Sequence, residues 1–217
     1  MQIKSFRYAS HVPVLRTIIQ LLCPASCLEL GTGYNSTHLF YKNIQKLISI
    51  ENNFNWFTNI KNSLPERKGF SIIYHDLGSK IERGTTPENI DKISRRNIRN
   101  YYINLKKNIS GYDLLFVDQY CSIRSLSLKT LYDSFNIIIF HDSQDKQYDY
   151  ESFLNIKKEG YLHFRYSLAG VFTDYLMSEK YTQELKIMPD LIRENTGIFC
   201  SECERNSDFK GHTFRKI

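Results

Sequence analysis

A chain of 217 residues with 41% hydrophobic and 14% aromatic content is long enough to bury a substantial core, and one domain spanning 1–217 is the expectation. No apolar run approaches the roughly 20 residues of a membrane span, and the opening from Met1 to Arg7 lacks the apolar centre of a signal peptide, so a cytoplasmic protein with no membrane partner is expected. The net charge of +6 admits a nucleic-acid partner, but the abundance of Asn, Ile, Lys and Tyr accounts for part of it and leaves the substrate open.

Residues 9–22 read as an amphipathic helix with Ser10 as N-cap, Pro13 in the first turn and an apolar stripe of Val14, Ile18, Leu21 and Leu22. His11 reads there as a surface or capping residue. Pro24 ends the helix. Cys27 to Leu30 is a short buried strand running into the turn Gly31-Thr32-Gly33. These two glycines let the backbone turn sharply and approach a ligand. A helix over 35–46 follows, then a strand from Lys46 to Ile50 that ends at Glu51. Strand, glycine turn, helix, strand and acid make a nucleotide-binding half-unit, in which Glu51 can accept both hydroxyl hydrogens of a ribose.

The pattern Glu29-Leu-Gly31-Thr-Gly33-Tyr-Asn35 resembles the first motif of the class I S-adenosylmethionine-dependent methyltransferases. The dinucleotide fingerprint of dehydrogenases fits less well, because position 36 is Ser where a third glycine belongs. The resemblance implies an α/β fold: a three-layer α/β/α sandwich around a mostly parallel, doubly wound, Rossmann-like sheet. It implies S-adenosylmethionine as cofactor, held by Glu29, Gly31, Thr32, Gly33, Tyr34, Glu51, Asn52, Asp76, Leu77 and Asp118. The positive end of the helix after the glycine turn suits the cofactor's carboxylate, and Asp76 is placed near the adenine.

Further along, a helix over 55–63 carries Trp56, Phe57 and Ile60 as sheet-facing core, and Phe70 to Tyr74 is the third strand, followed by His75, Asp76 and Leu77. An insertion over about 84–108 holds a helix capped by Thr86, with Pro87 in its first turn. Its part from Ile90 to Asn108 is basic, with Arg95, Arg96, Arg99, Lys106 and Lys107 interleaved with Tyr101 and Tyr102. That helix is the best candidate contact for a polyanion, although such a charge run is more often an ordinary solvated face. The stretch Gly111-Tyr-Asp-Leu-Leu-Phe-Val117-Asp118, an apolar run with an acid at its carboxyl end, marks a buried parallel strand that delivers a side chain to the ligand crevice. A helix from Arg124 to Tyr132 leads to the strand 136–140, which delivers His141, Asp142 and Ser143. A helix over 149–158 follows. Tyr161–Tyr166, Val171–Leu176 and Gly197–Cys200 are candidate late strands, two of which can form a terminal hairpin. Residues 205–217 read as a loose polar tail.

Asp118 and the Asp142-Ser143 pair resemble the acids of metal-dependent small-molecule and sugar O-methyltransferases, with Ser143 standing where those enzymes also carry Asn. The resemblance implies Asp118 and Asp142 as ligands of magnesium, which would lower the pKa of a hydroxyl acceptor. The competing catalytic assignment makes His141 the general base. Asp118, His141 and Asp142 are the catalytic candidates, and transfer of a methyl group to a small-molecule or saccharide hydroxyl is the leading reaction. Two alternatives stand beside it: methylation of RNA guided by the helix 90–108, and a catalytically inactive cofactor-binding module or scaffold. The odd set Cys23, Cys27, Cys121, Cys200 and Cys203 argues for reduced thiols. Cys200-x-x-Cys203 with His212 offers part of a zinc site but no second pair of cysteines.

Overall fold

The computed structural model describes residues 9–78, 81, 85–155, 159–168, 170–202 and 212–216. The elements run α1 (Val12–Leu22), β1 (Ser26–Leu30), α2 (Ser36–Asn43), β2 (Lys46–Glu51), α3 (Phe54–Ser63), β3 (Phe70–Tyr74), α4 (Lys92–Asn108), β4 (Leu114–Val117), α5 (Cys121–Leu131), β5 (Ile137–His141), α6 (Tyr150–Leu154), β6 (Tyr161–Leu168), β7 (Val171–Ser178), α7 (Glu184–Glu202) and β8 (His212–Lys216). The strands form one eight-stranded sheet in the order β3-β2-β1-β4-β5-β7-β6-β8. β3 through β5 pair in parallel, and the last three strands pair antiparallel. The order reverses between β1 and β4, so the chain makes a topological switch point at the carboxyl ends of those two strands.

Side chains alternate across each strand with a period of two, and the two faces carry separate cores. Cys27, Leu114, Phe116, Ile137 and Ile139 pack with Val14, Leu15 and Ile18 of α1, Phe40 of α2 and Met188 of α7. Leu28, Leu30, Leu115, Val117, Ile138 and Phe140 pack with Ile98 and Tyr102 of α4, Leu128 of α5 and Phe153 of α6. Continuing this alternation by one residue turns Asp118 and His141 towards the face that carries α1. The three-layer expectation therefore holds, and the alternation already decides which helix meets the strand ends.

Four local expectations are corrected. Ser10 does not cap α1; His11 occupies the N-cap position, without a side-chain bond, and the Ser10 hydroxyl lies 2.7 Å from His141 Nε2. The insertion helix does not start at Thr86. A 3-10 turn over Pro87–Asn89 comes first, and Asp91 then caps α4 by accepting from the Ile93 and Ser94 amides, because a carboxylate at N-cap satisfies two otherwise orphaned donors. Gly197–Cys200 is not a strand but part of α7. Leu185, Met188, Ile192, Asn195 and Thr196 recur at helical spacing and are buried, and Asn195 Nδ2 donates to Thr17 Oγ1 of α1 at 3.0 Å. Residues 212–216 are not a loose tail but the edge strand β8 along β6. The hairpin β6–β7 forms as expected, locked by Arg165, which donates two bonds of 2.6 and 2.7 Å to the buried Asp174. Gly84, residues 205–211 and Cys203 lie outside the described residues. No helix among the described residues is long and apolar enough to cross a membrane.

Candidate active site

The glycine turn is built from below. Gly31 has φ +87°, and a Cβ there would fall 2.3 Å from the Asp118 carbonyl oxygen. The first glycine is thus demanded by the approach of the β4 end to the β1 end, held by the bond from Asp118 N to the Leu30 carbonyl at 2.7 Å, while Gly31 N donates to the Ile50 carbonyl of β2 at 2.8 Å. At Gly33 a Cβ would meet only Ser36 Oγ, at 3.2 Å. Glu29 is fully buried on the α1–α2 face. Its Oε1 accepts from Thr37 Oγ1 at 3.0 Å and its Oε2 from Ser49 Oγ at 2.6 Å. Its carboxyl supports the start of α2 and does not reach the crevice.

Burial raises the Glu29 carboxyl to about 8 from the ordinary 4.5. A raised acid favours folding while it stays protonated in both states, and that contribution is lost as pH climbs from the unfolded value towards the folded one. Glu29→Gln is therefore expected to flatten the stability profile between pH 4.5 and about 8. The gain at pH 7 is on the order of 2–4 kcal/mol, with little change at pH 4. Urea unfolding of both proteins across that range checks it.

Glu51 is committed as fully as Glu29, but at the rim. Its Oε2 accepts from Thr32 N and Thr32 Oγ1, both at 2.8 Å. Its Oε1 accepts from the Asn52 and Asn53 amides at 2.7 and 2.8 Å. All four acceptor positions of the carboxylate are taken within the chain. The Trp56 indole N–H donates to the Thr32 carbonyl, and Tyr34 stands edge-on to the same indole. Trp56 is therefore a clamp on the glycine turn and not sheet-facing core.

Beside this clamp lies a 390 Å³ cavity lined by Asn52, Asn53, Phe54, Tyr74, Asp76, Leu77 and Tyr120, among others. It brings together three of the expected cofactor residues, Asn52, Asp76 and Leu77, at the ends of β2 and β3. Asn52 Nδ2 donates to the His75 carbonyl at 3.0 Å, while Asn52 Oδ1 is buried with no partner among the described residues. Asp76 folds back to accept from the Gly78 amide at 2.8 Å. His75 stacks on Tyr101 at 3.5 Å, and Tyr102 is buried with its hydroxyl donating to Gln119 Oε1 at 2.8 Å. The tyrosines of α4 are consequently turned inward, propping the β3 and β4 ends. Of its basic residues, Lys106 pairs with Asp133 at 2.5 Å and Arg95 reaches the Pro87 carbonyl at 2.5 Å.

The catalytic candidates Asp118, His141 and Asp142 do converge, around an arginine that was not among the expected site residues. Arg124, 6% exposed, reaches across from α5. It donates from Nε to the Gln119 carbonyl at 2.6 Å, from Nη1 to the His141 carbonyl at 2.9 Å and from Nη2 to Asp118 Oδ1 at 2.8 Å. Its Nη1 also lies 3.7 Å from Asp142 Oδ2, and the guanidinium lies over the Tyr148 ring. An arginine six positions after a strand-end acid, one turn before Leu128, was the available signal. Burial alone would raise the Asp118 carboxyl, but Arg124 and His141 outweigh it and hold it well below the usual range. Asp142 moves the other way, raised by burial and by Asp118 against the pull of His141 and Arg124. Its backbone is left-handed, φ 57°, an arrangement that Asp tolerates and that tends to mark functional positions.

The guanidinium lies against both acids expected to hold magnesium. Two carboxylates, one of them with an oxygen already bound to Arg124, fall short of the octahedral oxygen set that magnesium takes. These residues do not fit magnesium.

No protein-family model matches the chain, and no curated protein matches it. Among solved structures the chain is similar to the N-methyltransferase NodS from Bradyrhizobium japonicum WM9, at 10% identity over 82% of this chain and 99% of that one, with a TM-score of 0.51. It is also similar to an rRNA methylase from Streptococcus thermophilus, at 11% identity over 82% and 99%, with a TM-score of 0.50. At such identities the likeness is one of fold, and one fold hosts many chemistries. The sheet order, the switch point and these neighbours agree: the chain has the Rossmann-like fold of the class I methyltransferases.

Proposed function

We propose that the protein is an S-adenosylmethionine-dependent methyltransferase acting on a hydroxyl of a small molecule or saccharide. The observation that carries the reading is the 390 Å³ cavity at the carboxyl ends of β2 and β3, lined by Asn52 and Asn53, whose amides share the Glu51 carboxylate with Thr32 of the glycine turn. Its volume lies in the range of small-molecule sites. Asn52 Oδ1, buried without a partner, offers an acceptor to a ligand donor there, and Leu77, Tyr120 and Phe54 supply apolar wall for a purine. Ribose contact through Glu51 would need one of its four internal donors to give way.

The cofactor, when bound, supplies an electrophilic sulfonium methyl. The rest of the task falls to the chain: to orient the acceptor and to take its proton. Asp142 is suited to the second role, since its raised carboxyl is a better base than Asp118. His141 is 3% exposed with Nε2 against Ser10, so it supports Asp142 from behind. Arg124 fixes Asp118 and the His141 carbonyl. The inward-turned Tyr101 and Tyr102 count for a small acceptor over RNA.

Titration with S-adenosylmethionine and S-adenosylhomocysteine is expected to give micromolar binding. Leu77→Trp, which fills the cavity from a half-buried rim position, is expected to abolish binding while leaving the melting temperature near that of the parent. Asp142→Asn is expected to bind the cofactor normally and to lose about 10²–10⁴-fold in turnover. Absence of binding to either compound sinks the reading.

A further inference from the structure

His11 was expected to be a surface or capping residue, yet it is 2% exposed, and neither of its ring nitrogens has a hydrogen-bond partner among the described residues. A buried imidazole that makes no polar contact leaves an unpaid desolvation cost, and such groups call for an explanation. Its ring packs on Phe116 and stands edge-on to His141, with the two imidazole centroids 4.5 Å apart.

His141 is oriented as a ligand would be. Its Nε2 is 2.7 Å from the Ser10 hydroxyl, which leaves Nδ1 as the free ring atom. Among the described residues Nδ1 has no partner within hydrogen-bond distance, and it lies 3.6 Å from both Asp118 Oδ2 and Asp142 Oδ2. In the tautomer in which Ser10 accepts from Nε2–H, Nδ1 turns a lone pair towards two carboxylate oxygens, a gap in which a cation would bind all three atoms. Asp118 divides its oxygens to match: Oδ1 is bound to Arg124, and Oδ2 faces the imidazoles. Ligand atoms of His11, Asp118 and His141 all lie within 4.8 Å of one another.

We propose that His11, His141 and Asp118 form a binding site for a divalent transition ion of the zinc class, with two nitrogen ligands, one oxygen ligand and at least one open coordination position. Two imidazoles and a carboxylate select such an ion over magnesium. Bonds of 2.0–2.1 Å to nitrogen set ligand–ligand separations of about 3.4 Å in a tetrahedron. The 3.6 Å between His141 Nδ1 and Asp118 Oδ2 is close to that, and His11 can turn inward without breaking any hydrogen bond of its own ring. Ser10 and Arg124 are the outer partners that hold His141 and Asp118, the arrangement expected around metal ligands. Asp142 adds the second negative charge. The site comes from α1, β4 and β5, apart from the nucleoside-sized cavity, and metal binding there does not rest on the methyl-transfer reading.

The test uses the full chain, stripped with a chelator and titrated with Zn2+ and with Co2+. One Zn2+ per chain is expected, with a Co2+ spectrum that lacks thiolate charge-transfer bands. His11→Leu and His141→Leu are each expected to weaken Zn2+ by at least about 100-fold, beyond what loss of an outer partner costs. The Cys200→Ser, Cys203→Ser double variant should bind as the parent does. Where a histidine variant does not fold, X-ray absorption of the zinc-loaded parent decides, with two imidazoles and no sulfur expected. No stoichiometric binding, sulfur in the coordination shell, or unchanged affinity in folded His11→Leu overturns the proposal. A metal-binding protein that ignores S-adenosylmethionine would leave this site standing and remove only the methyltransferase reading.

Discussion

Arg124→Met is expected to cost about 2–4 kcal/mol of stability at pH 7, because it leaves a half-buried acid without its counter-charge and two carbonyls of buried residues without their donor. In the native chain the guanidinium makes three hydrogen bonds of 2.6–2.9 Å to the Gln119 carbonyl, the His141 carbonyl and Asp118 Oδ1. Removing it strands two carbonyls and a carboxylate at once. The pH dependence identifies the cause. Asp118 is held below its unfolded value, so its contribution is present above that value and lost as pH falls through the folded one. Without Arg124 that hold on Asp118 weakens, although His141 still favours the carboxylate. The deficit against the parent should be steady from pH 7 down to about pH 4, the unfolded carboxylate range, and narrow below it. Adding Asp118→Asn to Arg124→Met should recover part of the loss, giving a coupling of about 1–3 kcal/mol in a double-mutant cycle. Chemical unfolding at neutral pH and below the unfolded carboxylate range measures both. A deficit that does not change at low pH would assign the loss to packing alone.

Gly31→Ala is expected to cost about 2–5 kcal/mol, the sum of a left-handed backbone penalty and an overpacking penalty. The added methyl would sit 2.3 Å from the Asp118 carbonyl oxygen and 2.5 Å from the Gln119 amide nitrogen, backbone atoms that cannot swing aside. Gln119 is itself pinned, accepting from Tyr102 Oη at 2.8 Å and donating to Ser127 Oγ at 2.7 Å. For a chain of this size the cost corresponds to a fall of roughly 4–20 °C in melting temperature. Gly33→Ala supplies the contrast. Its φ is not positive, and its methyl would press only on the Ser36 hydroxyl at 3.2 Å, so a cost below about 1 kcal/mol is expected. Equal costs at the two glycines would contradict the geometry, and melting curves of the two variants suffice to tell.

These two expectations could not have been written from the sequence, which treats Gly31 and Gly33 as equivalent halves of one motif and passes over Arg124. What the sequence determined by itself were features governed by local periodicity. The apolar runs at Cys27–Leu30, Leu114–Val117 and 136–140 became central parallel strands, because a strand buried on both faces needs apolar side chains on both. The acids and histidine placed at their ends do sit at the carboxyl edge, since a strand's direction carries its last residue there. Local signals failed where burial by a partner overrode propensity. α7 contains Pro189 and Gly197 and reads poorly as a helix, but its apolar stripe closes over α1. The strand β8 is polar and forms at the edge of the hairpin, where it is paired on one side only.

Tertiary structure alone decided the roles within the site. Glu29 and Glu51 share the residue type and strand setting of cofactor ligands, but whether a carboxylate meets a ligand depends on what else donates to it. Here Thr37 and Ser49 occupy one, and Thr32, Asn52 and Asn53 the other. Likewise His11 and His141 lie 130 positions apart in the sequence, and nothing in their neighbours announces a pair. They meet because β4 and β5 end beside the start of α1 and because side chains alternate along a strand. Sequence periodicity determined the layers and the edge of the sheet where chemistry collects. Which groups face one another across that edge was set by packing between elements far apart in the chain, and it is this packing that gathers two imidazoles, two carboxylates and one guanidinium at the ends of β4 and β5.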